Sequence, residues 1–204
     1  MNVHTHWIGG LAAGAVVAPL VPAHATLVVL AAAVLAAPLP DLDHPGSTYG
    51  RFVPLPGVAR IHGHVESFRP GPFGNSQASF GQVGRQTPWG IGWHRGGMHS
   101  LVATAISVGV LGVATQLVHP GWGGWVALGV AVGMLSHLAL DALNTMGQAW
   151  LWPFTGHRFR LPWPRIHVGS VGEWAVMALL ILGLVLGTHS VWAHGLPGLA
   201  LTGR

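Results

Sequence analysis

The sequence predicts an all-α protein, a polytopic membrane helical bundle of about five transmembrane or membrane-embedded helices. Three features predict it. Half of the residues are apolar and only 7% are charged, where soluble domains carry roughly 25% charged residues. The apolar residues gather in five runs separated by Pro- and Gly-rich breaks. The basic residues, all nine of them Arg, fall almost entirely on one side of the alternation that five crossings create.

The runs justify their helices in turn. Residues 7–21 and 26–38 are short against the roughly 20 residues that span a bilayer, so re-entrant or buried helices remain open for both. Residues 101–118, 125–143 and 173–193 approach a full span. "LVPAHA" (20–25) and "HPGWGG" (119–124) read as tight turns between consecutive runs. Gly129 and Gly133 form a small-xxx-small pair, which lets two helices approach closely in lipid. "MNVHTHWIGG" lacks the basic region of a signal peptide, so the run after it is expected to stay in the mature protein.

The chain therefore reads as a single integral membrane domain, 1–204, with a Gly/Pro-rich insertion around 46–93 and a polar loop around 146–172. With five crossings, both polar stretches and the N-terminus share one side. That side holds eight of the nine Arg once Arg95 is counted, and the positive-inside rule places it in the cytoplasm. The expected location is the inner, cytoplasmic membrane, with the lipid bilayer as the main partner.

Composition also excludes function classes. Cys is absent, which removes disulfides, thiolate metal sites and Cys nucleophiles. No HExxH, GxSxG or P-loop pattern occurs, so zincin, serine-hydrolase and P-loop readings have no support. The net charge of +4 reflects few acids rather than a dense basic patch, and no nucleic acid is expected as partner. The sequence leaves the oligomeric state open.

The chemistry lies in the ionisable residues near the helix ends. There are 14 His and only five acids. "PDLDHP" (40–45) places Asp41, Asp43 and His44 after an apolar run. Negative charge at a helix C-terminus opposes the macrodipole, so these acids suit a cation better than they suit the helix. Read as an extended tract, the segment would point Asp41 and Asp43 to one side. A solvated turn is the plainer alternative.

His137 and Asp141 stand four apart, on one helix face and one turn from each other. Acids at membrane depth are costly and rarely isolated. A His–Asp hydrogen bond within the helix is the plainer role. The company they keep favours metal ligation. "HRGGMHS" (94–100) brings His94 and His99. With a helix starting near Gly97, His94 falls in the preceding loop and His99 in the first turn. Arg95 suits either an anionic ligand at that helix start or a positive-inside anchor.

His6 is equivocal alone, and His4 reads as free. His62, His64 and Glu66 read as an incidental polar loop. Mixed His and Asp donors suit Zn²⁺, Mn²⁺ or Fe²⁺. Their number exceeds one tetrahedral site, so two or more ions fit the count.

"THWIGG" (5–10), "LPDLDHP" (39–45), "HRGGMHS" (94–100), "SHLALDALNTMG" (136–147) and "LWPF" (151–154) resemble the bacterial membrane-bound, LexA-regulated metal-dependent hydrolases. The match runs from Met1 to about Phe159, apart from the 50s to 80s. The resemblance implies an inner-membrane, multi-helix, metal-dependent hydrolase. The ligand order His, Asp, His, His-x-x-x-Asp is also similar to zinc-dependent phospholipase C and related nucleases. Carried over, that order makes His6, Asp43, His99, His137 and Asp141 ligands, with His94, Asp41 and His44 as further ligands or their supports. The insertion after residue 50 is longer than the family pattern suggests, and a second His-x-x-x-acid element has no counterpart.

The expected function is a membrane-bound, metal-dependent hydrolase. It would cleave a phosphoester of a phosphorylated or lipid-linked small molecule with a metal-activated water. Asp41 would act as base or orient the water, and Arg95 would stabilise phosphoryl charge. The rival is a membrane protein that holds a structural metal or transports one, with no hydrolase activity. Clustering of the ionisable residues at one end disfavours transport.

Overall fold

The computed structural model describes residues 1–43, 47–49, 97–145, 147–155, 157–162 and 165–194. His44, His62, His64, Glu66, His94 and Arg95 lie outside them. Among the described residues five α-helices follow one another: α1 (Val3–Val17), α2 (Ala23–Ala36), α3 (Leu101–Val118), α4 (Gly123–Ala142) and α5 (Val171–His194). Among the described residues there is no β-strand, only two isolated bridges, Asn144 with Ile166 and Gln148 with Phe159. The all-α expectation and the five helices agree with the structure.

Among the described residues three stretches are long and apolar enough to cross a membrane: Ala23–Leu42, Leu101–Val118 and Gly123–Ala142. The second apolar run is thus longer than its sequence suggests. A 3₁₀ turn, Leu39–Asp43, continues where α2 stops. Pro38 and Pro40 lack the N–H groups that an α-helix needs. The Asp41 amide instead donates to the Pro38 carbonyl at 3.1 Å, an i to i+3 bond of the 3₁₀ type. The tract is therefore coiled rather than extended. This corrects the expectation of an extended backbone; the side chain of Asp43 lies outside the described residues.

α4 is the hub, packing against α1, α2 and α3. Glycine makes this closeness possible. A Cβ at Gly133 would collide with the Ala33 carbonyl, and one at Gly129 would meet the Val29 carbonyl at 2.6 Å. Gly10 gives α1 the same access to α2, since its Cβ would lie 2.7 Å from the Ala33 carbonyl. Val29, Ala33 and Met134 are fully buried along this seam. In lipid, where apolar side chains gain little by leaving the solvent, such backbone-to-backbone packing holds helices together. α5 packs against α1, and Val176 and Leu180 close over Met1, Leu140 and Ile166. The outward faces of α3 and α5 expose Ile106, Val110, Val113, Leu179, Leu182 and Leu186.

Tight turns after α1 and α3 lie at one end. The start of α1, the end of α2, the start of α3, the end of α4 and the start of α5 meet at the other. The polar loop after α4 folds back beneath that helix. Leu161 and Ile166 donate their amides to the Ala142 and Leu143 carbonyls, and Gln148 Nε2 donates to the Leu138 carbonyl at 2.9 Å. The first two bonds satisfy carbonyls that a helix C-terminus leaves open.

Candidate metal centre

Each polar residue reaches the centre from a different element. His6 lies in the first turns of α1, and Asp41 in the 3₁₀ turn after α2. His99 ends a 3₁₀ turn, Gly97–His99, just before α3. The sequence placed His99 inside the first turn of the helix. Ser100 is instead the N-cap, its Oγ accepting the Ala103 amide at 3.1 Å, so His99 is held ahead of α3. His137 and Asp141 come from the last turns of α4.

These five side chains converge. His137 Nε2 lies 3.2 Å from His99 Nε2. Asp41 Oδ1 lies 3.4 Å from His99 Nε2 and 3.8 Å from His137 Nε2. Asp141 Oδ2 lies 3.9 Å from His99 Nε2 and 3.8 Å from His137 Nε2. Asp141 Oδ1 turns the other way, 3.5 Å from His6 Nε2. It also accepts the Met1 α-amino group at 2.7 Å. His6 stacks on His137 with ring centroids 3.7 Å apart.

The spacing has chemical meaning. Donors bound to a tetrahedral ion at ~2.0–2.1 Å stand about 3.3 Å apart. The distances among His99, His137, Asp41 Oδ1 and Asp141 Oδ2 given above, 3.2 to 3.9 Å, sit close to that value. His6, His137 and Asp141 form a second triad with mutually close donor atoms, as do Asp41, His99 and His137. The two triads share His137, and Asp141, through Oδ2, also lies 3.9 Å from His99 of the other triad.

Burial sharpens the chemistry. His6, His99 and His137 are fully buried, and Asp141 nearly so. The Asp41 side chain is 14% exposed, so it is the most open member of the group. Among the described residues, neither ring nitrogen of His6 and not Nδ1 of His137 makes a hydrogen bond. An unsatisfied buried polar atom costs ~1–3 kcal/mol. Asp141 also lies at the C-terminal end of α4, where its charge opposes the macrodipole.

The structure thus brings together His6, His99, His137, Asp141 and Asp41. Asp43 closes the 3₁₀ turn two residues beyond Asp41. His44, His94 and Arg95 fall outside the described residues. His4 is exposed and packs edge-on against Trp7, apart from the cluster. Sequence reasoning missed the Met1 amine and also Glu173, which is buried beside α1. Only the scarcity of acids in the chain hinted that Glu173 has a polar task.

The chain matches the family model described as YdjM inner membrane protein over residues 1–201. No curated protein and no solved structure matches it. With nearly the whole length matched, and with apolar helices able to cross a bilayer, the chain belongs to the YdjM inner membrane protein family.

Proposed function

We propose that this protein is a membrane-bound, metal-dependent hydrolase acting on phosphoesters, with its site at the cytoplasmic face of the inner membrane. The convergence of His99, His137, Asp41 and Asp141 at ligand spacing carries the reading. The residues fit a divalent cation. Two imidazole Nε2 atoms 3.2 Å apart can share a proton or can both direct lone pairs at one ion. Two carboxylates within 4 Å of them supply the charge that a divalent ion needs. Zn²⁺ matches this donor set, with Mn²⁺ and Fe²⁺ as alternatives. Asp141, with Oδ1 toward His6 and Oδ2 toward His99, gives room for a second ion beside His6.

When bound, the ion supplies a polarised water and a Lewis acid for the phosphoryl oxygen. The chain's own residues do the rest. The α4 turn holds His137 and Asp141 in fixed register. Asp41, the member most open to the outside, can take a proton at its carboxylate and orients the approach to the centre. Arg95, just ahead of the Gly97–His99 turn, supplies positive charge for a phosphate. A lipid-linked substrate is favoured because the centre lies where the apolar helices end.

Metal content of the detergent-purified protein tests the reading. At least one tightly bound transition-metal ion per chain is expected, together with hydrolysis of a generic phosphodiester that disappears in His137→Ala. A chain that purifies without such an ion and gains none on incubation with Zn²⁺ or Mn²⁺ refutes it. The side is tested by labelling. The chain has no Cys, so single cysteines report cleanly. Gly121→Cys should react with an impermeant maleimide added to spheroplasts, and Thr155→Cys should not.

A closed structural metal site is the second reading, favoured by the burial of His6, His99, His137 and Asp141. A full metal load with no turnover on phosphomonoesters, phosphodiesters or phospholipids would select it.

A further inference from the structure

α1 begins without a side-chain cap of its own, since Asn2 provides none. A carboxylate from the far end of the chain takes that place. Glu173, in the first turn of α5, is 3% exposed. Its Oε1 accepts the Asn2 backbone N–H and the Thr5 hydroxyl, the latter at 2.9 Å. Its Oε2 accepts the Gly169 amide at 2.6 Å. Thr5 is itself buried and is the residue before His6.

We propose that Glu173 is a positioning residue for His6, fastening the first turn of α1 so that the imidazole faces Asp141. The inference rests on the metal reading above. Four observations point the same way. The carboxylate is buried, and both of its oxygens accept hydrogen bonds. Two of its three donors lie within four residues of His6. Neither ring nitrogen of His6 makes a hydrogen bond among the described residues, so at the ring only the stacking on His137 and the 3.5 Å approach to Asp141 bear on its orientation. A buried negative charge at the start of α1 also complements the helix macrodipole. Glu173 therefore does for His6, through the backbone, what a directly bonded carboxylate commonly does for a metal-bound histidine.

Cobalt(II) binding to the full chain in detergent, read by its visible d–d bands, tests the assignment. Wild type should bind cobalt with a tetrahedral-type spectrum. Glu173→Gln should weaken binding ~10–100-fold, the usual cost of losing a supporting partner, and should shift the bands. Thr5→Val removes one hydrogen bond without changing side-chain size and should move both readouts the same way by less. It also serves where Glu173→Gln fails to fold. The deciding measurement is a double-mutant cycle. In a His6→Ala background, Glu173→Gln should have no further effect on cobalt affinity, because Glu173 acts through His6. Additive losses would assign Glu173 to general stability and overturn the proposal. So would wild-type cobalt binding and bands in both Glu173→Gln and Thr5→Val. A wild-type chain that takes up no cobalt overturns the metal reading, and this assignment with it.

Discussion

The two ends of the bundle both carry histidine, and they use it in opposite ways. At one end His6, His99 and His137 are buried among two aspartates within 4 Å of their ring nitrogens. At the other, His24 and His119 are exposed, and His24 lies edge-on to Trp122 and Trp125 at 6.1 and 6.5 Å between centroids. Trp and His at that level suit a membrane–water interface, where one end of the ring is wet and the other apolar. Residue type is the same at both ends. Neighbouring carboxylates and burial make one end a candidate centre and leave the other an anchor.

The sharpest way to break this contrast is to remove the shared carboxylate. Asp141→Ala should reduce the bound metal to below about a tenth of wild type, since it strips a donor from the His6 triad and the carboxylate oxygen that lies 3.9 Å from His99. It should also lower stability, because breaking one member of a buried charged group costs ~3–5 kcal/mol. Elemental analysis and thermal unfolding in detergent measure the two effects. A full metal load in this variant would dissolve the distinction between the ends.

Next in size is an attack from a distance. Gly133→Leu should drive α2 and α4 apart, costing ~1–3 kcal/mol or more for overpacking. The same change should reduce metal affinity, because His137 lies one turn further along the helix. Gly183→Leu is the control. Nothing lies within 4 Å of where its Cβ would be, so thermal stability should stay within ~0.5 kcal/mol.

Acidification should have a graded effect. Each imidazole donor binds a cation only as the neutral ring, so metal affinity should fall as pH drops and recover as it rises. A titration followed by cobalt absorbance would show it. The smallest effect belongs to the other end. His24→Ala should leave metal content unchanged and shift stability by less than ~0.5 kcal/mol. A lost metal ion there would show that the two ends are coupled.

Much of this was legible in the sequence. All six ends of α3, α4 and α5 fall within two residues of the apolar run boundaries, because bilayer length and Pro/Gly breaks mark them directly. His137 and Asp141 were legible because a spacing of four fixes a common face. Asp41 was legible as a charge in the wrong place for a helix end. Its backbone was not. Whether "LPDLD" coils or extends turns on which amides are missing, and the run of prolines permits both. His99 was misplaced by one turn because Ser100, an ordinary cap residue, stood beside a glycine pair that offered an earlier start. The partnership of Glu173 with Asn2 and Thr5 spans most of the chain and has no local pattern to betray it. Gln148, buried beneath α4 with its amide on the Leu138 carbonyl, was invisible for the same reason.

The converging side chains sit at positions 6, 41, 99, 137 and 141, which has a consequence for biogenesis. Until the fourth helix enters the bilayer, Asp41 and His99 can meet only each other, and His6 lacks both His137 and Asp141. On the metal reading proposed above, capture of the ion would be a late event in assembly. On that reading, a chain truncated before residue 137 and released would lack both donors of the fourth helix and should retain no metal ion.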